Sequence, residues 1–135
     1  MDVISMAKKS LKKHEGFRQF SYQCTAGKTT VGFGRNVQDK GINLREAEYL
    51  LENDIVECLQ DLATFKYWNN LTDRQQAALI DLRFCLGATG YRGFKRMGDA
   101  LLAGEYEQAA IEIMHSKFAD QTGSRATDLA EMLIQ

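Results

Sequence analysis

Proline is absent from the 135 residues, and there is no low-complexity run or internal repeat, so chain reversals fall to the 11 glycines and to polar helix caps. Cysteine is scarce: Cys24, Cys58 and Cys85 make an odd number at wide spacing with no CxxC pair, which signals neither a disulfide framework nor a zinc site. No Cys, His, Asp and Glu cluster has ligand spacing, so no metal or other cofactor is expected, and activity should survive a chelator. No stretch approaches the roughly 20 apolar residues of a membrane helix. Stable membrane insertion is therefore not expected. Lys8, Lys9, Lys12 and Lys13 stand where a secretory signal would need its apolar region, so the sequence predicts synthesis in the cytoplasm with no export route of its own. A dominant charge is missing too. The formal net charge of -1 argues against a dedicated nucleic-acid binder. That total hides an asymmetry, because residues 1 to 45 hold nine Lys or Arg against only Asp2, Glu15 and Asp39. A basic first third could attract a polyanion, although the four lysines read more simply as a solvated helix face.

With 44% hydrophobic and 26% charged residues, the chain has the composition of one folded domain of 1–135, not of a disordered segment. Val3, Ile4, Ala7 and Leu11 recur at helical spacing and predict a first helix over about residues 2 to 13, with Glu15 just past its end. From Phe17 to Phe33 the texture changes to Phe, Tyr, Thr and Val around Thr25-Ala26-Gly27-Lys28, which reads as a hairpin returning over Thr30 to Gly34. Asn43 with Glu46 resembles a capping box opening the longest helix, about 44 to 64, with Ala47, Leu50, Leu51, Ile55, Cys58, Leu59 and Leu62 as its stripe. Thr72 with Gln75 gives a second capping box, and Gly87 is placed to close that helix in a left-handed conformation. Shorter helices follow over Gly93 to Ala103, Tyr106 to Ser116 and Ser124 to the C-terminus. Cys58 and Cys85 fall in apolar helical patterns and read as small core residues. The fold class is α+β: a small antiparallel sheet near the N-terminus and a helical remainder.

The pattern that bears on chemistry is Glu15-x8-Cys24-x5-Thr30. A hairpin turning near Gly27 can return Cys24 and Thr30 to face an acid at a helix end. A carboxylic acid can protonate a leaving-group oxygen while a second polar group across from it holds an attacking water or a developing charge. On chemistry alone, a glutamate after a helix is as readily a solvated residue.

In its wider setting the pattern resembles the phage-type lysozymes, glycoside hydrolase family 24, which includes the T4 and lambdoid phage enzymes. The resemblance is carried by His-Glu-Gly-Phe-Arg at 14 to 18, Thr-Val-Gly-Phe-Gly at 30 to 34, the stretch from Ala78 to Phe94, and the late loop from Ser116 to Arg125. It implies a lysozyme-like fold with a sheet-bearing lobe of about 15–60 and a helical lobe of 61–135 plus the first helix, joined by the long helix with a cleft between them. It also implies a muramidase that hydrolyses the β-1,4 bond between N-acetylmuramic acid and N-acetylglucosamine in the glycan strands of peptidoglycan. Glu15 would be the general acid, Cys24 would stand where many members have Asp and others Cys, and Thr30 would position the hydrolytic water. Gly34 and Phe84 match positions lining the substrate cleft, and Arg125 matches the arginine that pairs with the catalytic glutamate.

Two departures from the T4-like pattern matter. Cys24 cannot be an ionised carboxylate, and a thiol of ordinary pKa, about 8.5, is mostly neutral at pH 7, so it either orients water or attacks covalently. Arg35 replaces the usual histidine, so a structural ion pair of that lobe is expected to be rebuilt. The residues also leave other readings open. One is a cell-wall cysteine peptidase or amidase using Cys24 with His14 or His115. Another is a non-catalytic peptidoglycan-binding module, and a third is a lytic transglycosylase using Glu15 alone. The expected setting is a monomeric phage or prophage endolysin that reaches the wall through a holin lesion or as part of a phage particle.

Overall fold

The computed structural model describes residues 2–135. The order is α1 (Val3–Glu15), β1 (Arg18–Gln23), β2 (Thr29–Gly32), β3 (Arg35–Asn36), α2 (Val37–Lys40), α3 (Leu44–Leu62), a 3-10 turn (Trp68–Asn70), α4 (Asp73–Arg92), α5 (Lys95–Leu102), α6 (Tyr106–Met114), α7 (Lys117–Thr122) and α8 (Ser124–Ile134). This is the α+β architecture read from the sequence. The chain divides into a unit that ends at Tyr49 and a unit from Leu50 to Gln135.

The first unit is built from caps and turns. Asp2 starts α1 by accepting the Ser5 N–H at 2.7 Å, and Lys12, Lys13 and His14 place basic charge at the helix's negative end. The helix runs two residues longer than the apolar pattern suggests, so Glu15 is its last residue. The three strands form an antiparallel sheet in the order β1-β2-β3, with Tyr22 opposite Thr30 and Thr30 opposite Asn36. The β1–β2 turn is closed by Cys24 N–H to the Lys28 carbonyl at 2.9 Å and Gly27 N–H to the Cys24 carbonyl at 2.8 Å. The sequence pattern missed α2, a single turn after β3 whose N-cap is Asn36. Asn43 and Glu46 exchange 2.9 Å bonds at the start of α3, as their spacing indicates. Arg35 donates to the Gly41 carbonyl at 2.8 and 3.2 Å and lies 3.5 Å from Glu46.

The second unit is built from apolar burial. Leu62, Leu79, Leu82, Tyr91, Met97, Leu101, Ile113 and Leu133 are fully buried, and each such side chain contributes about 1.5–3 kcal/mol relative to exposure. Thr72 and Gln75 form the expected capping box, and the buried Gln75 also donates to the Leu133 carbonyl at 2.8 Å, tying the start of α4 to the end of α8. Gly87 takes φ +75°, as read from the sequence, but helix resumes beyond it, so it kinks α4 instead of ending it. Asp61 near the end of α3 accepts from Arg83 at 2.7 Å and from Arg92 at 2.6 and 3.0 Å, and the Arg92 guanidinium lies 5.0 Å from the Phe65 ring centroid.

Three readings need correction. The segment from Ser116 to Arg125 is not a loop: Ser116 caps α7, and buried Phe118 pins that helix to the core. Cys85 is not a core residue. It is exposed, because α4 turns its buried side toward Leu79 and Leu82 and leaves Asp81, Phe84 and Cys85 on another face. Within the predicted stripe of α3, only Cys58 and Leu62 are buried. Among the described residues, no helix is long and apolar enough to cross a membrane and no three His, Cys, Asp or Glu side chains gather as metal ligands.

Candidate active site

Four of the expected site residues lie in the first unit. Glu15 reaches the site from the last turn of α1, and Gly16 follows with φ +69°, its N–H bonded to the Lys12 carbonyl, which turns the chain from helix into β1. The Glu15 carboxylate then lies against the β2–β3 turn. A Cβ added to Gly34 would stand 2.8 Å from Glu15 Oε2 and 2.9 Å from its Cδ, closer than atoms can pack. Gly34 also has φ +75°, a backbone that disfavours any side chain, and one placed there would push the end of the Glu15 side chain aside. Gly34 is thus a ledge on which the acid rests.

Cys24 and Thr30 meet at the other turn of the same sheet. The backbone N–H of Lys28, then that of Ala26, hold the Cys24 thiol below its ordinary value, since both stabilise a thiolate. Partial burial opposes them, and the Thr30 hydroxyl adds to the lowering. Thr30 is 3% exposed, and its O–H can turn to the Lys28 carbonyl at 2.9 Å or to the neighbouring thiol. The groups acting on the thiol include no histidine. His14 Nδ1 lies 3.4 Å from Ser10 Oγ, one turn back on α1.

An aromatic cluster stands next to this site. Phe17 and Phe33 have ring centroids 5.6 Å apart, and Lys12 Nζ lies 5.4 Å from the Phe33 centroid. Phe33 separates the two positive-φ glycines of the turn, Gly32 and Gly34, so its contact with Phe17 helps to fix the ledge under Glu15.

The other two expected residues belong to the second unit. Phe84 stands on α4 and is 45% exposed, one of several large apolar side chains that this unit leaves open, with Leu102, Ile111 and Ile134 among the others. Arg125, near the start of α8, donates from Nε at 2.8 Å and lies 2.6 Å through Nη2 from the same oxygen, Asp81 Oδ1. Hydrogen bonding to Asp81 holds the guanidinium above its ordinary value. Sequence reasoning missed Asp81. The spacing i, i+3 and i+4 of Asp81, Phe84 and Cys85 places an acid beside an expected substrate residue on one helix face, but it does not name Arg125 as the acid's partner.

Comparison with known proteins matches the sequence to a family. The phage lysozyme family model matches residues 12–131. An endolysin of Acyrthosiphon pisum secondary endosymbiont phage 1 is 33% identical over 119 aligned positions, covering 85% of this chain and 80% of that protein. A probable T4-type lysozyme 2 of Dictyostelium discoideum is 25% identical over 154 positions, covering 92% and 91%. The pre-baseplate central spike protein Gp5 of Enterobacteria phage T4 is 25% identical over 160 positions that take in 97% of this chain and 28% of the spike protein. With a helix-end glutamate on a glycine ledge and a family match over nearly its whole length, the chain belongs to the phage lysozyme family.

Proposed function

We propose that Glu15 is the general acid with which this lysozyme, a muramidase of peptidoglycan, protonates the oxygen leaving N-acetylmuramic acid as the β-1,4 bond to N-acetylglucosamine breaks. The observation that supports this most is the close approach of the exposed Glu15 carboxylate to Gly34, where any side chain would displace it. Thr30 and Cys24 form the second polar group. A thiol pulled toward thiolate can take a proton from the attacking water or attack the anomeric carbon itself, and Thr30 holds it in place. Gly34, Phe84 and Arg125 contact the glycan. Phe84 offers an exposed ring to a sugar face, and Arg125 offers fixed N–H donors to its oxygens.

The setting goes with the chemistry. On this reading the protein is made in the cytoplasm as a monomer and meets the wall after a holin lesion, or is carried in a phage particle; its likeness to an endolysin goes with that setting. The test separates sugar from peptide cleavage. Purified peptidoglycan is digested with the wild type, Glu15→Gln and Cys24→Ala, and new reducing sugars and new amines are both counted. Reducing sugars without amines, lost in Glu15→Gln, support the muramidase. Amines lost only in Cys24→Ala would replace it with a cysteine peptidase or amidase. Binding with no release of either would mean a non-catalytic module.

A further inference from the structure

We infer that Asp81 is a positioning residue of this lysozyme, one that orients Arg125 by offering a single carboxylate oxygen to two guanidinium nitrogens. The inference rests on the reading of Arg125 as a substrate-contacting residue. Arg125 Nε and Nη2 stand 2.8 and 2.6 Å from Asp81 Oδ1, so two points of the planar guanidinium are fixed and its rotation about the side chain is stopped. Both residues stand on firm ground. Asp81 directly precedes Leu82 on α4 and Arg125 directly precedes Ala126 on α8, and Leu82 and Ala126 are both 0% exposed. Two helices locked by their buried faces therefore carry the pair, while its own side chains stay 43% and 41% exposed. Among the described residues nothing else bonds to the Arg125 guanidinium, and Nη1 takes no protein partner.

Exposure makes the pair a poor stabiliser, because ion pairs this open to water are screened and contribute little to folding. Orientation is where it can act. An arginine that must present N–H groups to a sugar in one direction loses conformational freedom on binding unless another group has already fixed it. Asp81 supplies that fixation, and Cys85, one turn along α4, is the other titratable group that acts on Arg125. Because both bonds end on one oxygen, the requirement is an acceptor at that point, which an asparagine carbonyl supplies as well as a carboxylate.

Steady-state kinetics on purified peptidoglycan fragments decide the matter, with thermal melting measured alongside. Arg125→Ala should raise KM, and Asp81→Ala should lower kcat/KM by about tenfold through KM, as expected for losing charge-assisted bonds, with its melting temperature near wild type. Asp81→Asn should restore kcat/KM to within about twofold of wild type, and the double alanine variant should be no worse than Arg125→Ala alone. An Asp81→Ala enzyme of wild-type kinetics beside a damaged Arg125→Ala would overturn the inference and leave the role of Arg125 intact. So would an Asp81→Asn as weak as Asp81→Ala, or a double variant in which the two losses multiply. Wild-type kinetics in Arg125→Ala would remove the substrate role of Arg125, and the inference with it.

Discussion

The two units are held together by different physics. Among the described residues up to Tyr49, Thr30 alone is buried, and the unit depends on capping residues, turn glycines, sheet hydrogen bonds and an exposed aromatic pair. From Leu50 onward every element contributes to one apolar core, running from Leu62 to Leu133. The proposed chemistry sits where burial is least. Glu15 ends α1 against the β2–β3 turn and Cys24 stands in the β1–β2 turn, positions that ask no core to form around them. Stability and reactivity should therefore separate by unit, and substitutions can test how cleanly.

The largest effect should come from Glu15→Gln, which keeps the shape and removes the proton: activity falls by about 10² to 10⁴-fold while the melting temperature stays near wild type. An equally large loss of stability would mean that Glu15 is structural and would break the division. Leu82→Ala should do the opposite, lowering unfolding free energy by about 2–5 kcal/mol in denaturant titrations while activity per folded molecule is kept. Gly34→Ala should cost about 1–2 kcal/mol for its positive φ and displace the Glu15 carboxylate as well, reducing kcat by at least about tenfold. Gly27→Ala sharpens that comparison. It has φ +77° and open space where its Cβ would go, so it should carry the backbone cost alone and leave kcat unchanged.

A smaller effect separates the cysteines. Cys24, lowered by the N–H groups of Lys28 and Ala26, should be alkylated at a lower pH than Cys58, whose thiol burial raises; mass mapping after timed iodoacetamide treatment reads the order. Equal rates would mean that the turn does not favour a thiolate. The smallest effect concerns acid stability. Hydrogen bonds from Arg92 and Arg83 hold the Asp61 carboxyl well below the usual carboxylate range. The stability this gives is full above the unfolded carboxylate pKa, about 3.9, and is lost as pH falls toward the depressed folded value. Asp61→Asn should flatten that acid limb in melts followed downward from about pH 5. An unchanged limb would show the pair to be too exposed to matter.

Legibility followed the range of the interactions. Capping boxes at Asn43 and Thr72, the hairpin at Gly27 and the left-handed Gly87 are local, and each was readable because its partner lies a few residues away. Glu15, Cys24 and Thr30 were singled out by spacing and resemblance together, but their surroundings were not readable, since the approach of Glu15 to Gly34 depends on how far α1 runs before it turns. The exposure of Cys85 depends on which side of α4 meets α8, and an apolar string does not say that. A single helical turn such as α2 leaves too short a pattern to detect. α7 was hidden by polar residues around its one buried anchor, Phe118. Asp81 became visible as a partner only when α8 brought Arg125 beside it.

The most direct test of the central claim is mass spectrometry of soluble products from purified peptidoglycan, reduced to tag new sugar ends, for the wild type and for Glu15→Gln. The account predicts reducible N-acetylmuramic acid ends from the wild type and none from the variant. Anhydro sugar ends, new peptide ends, or an undiminished yield from Glu15→Gln would contradict it.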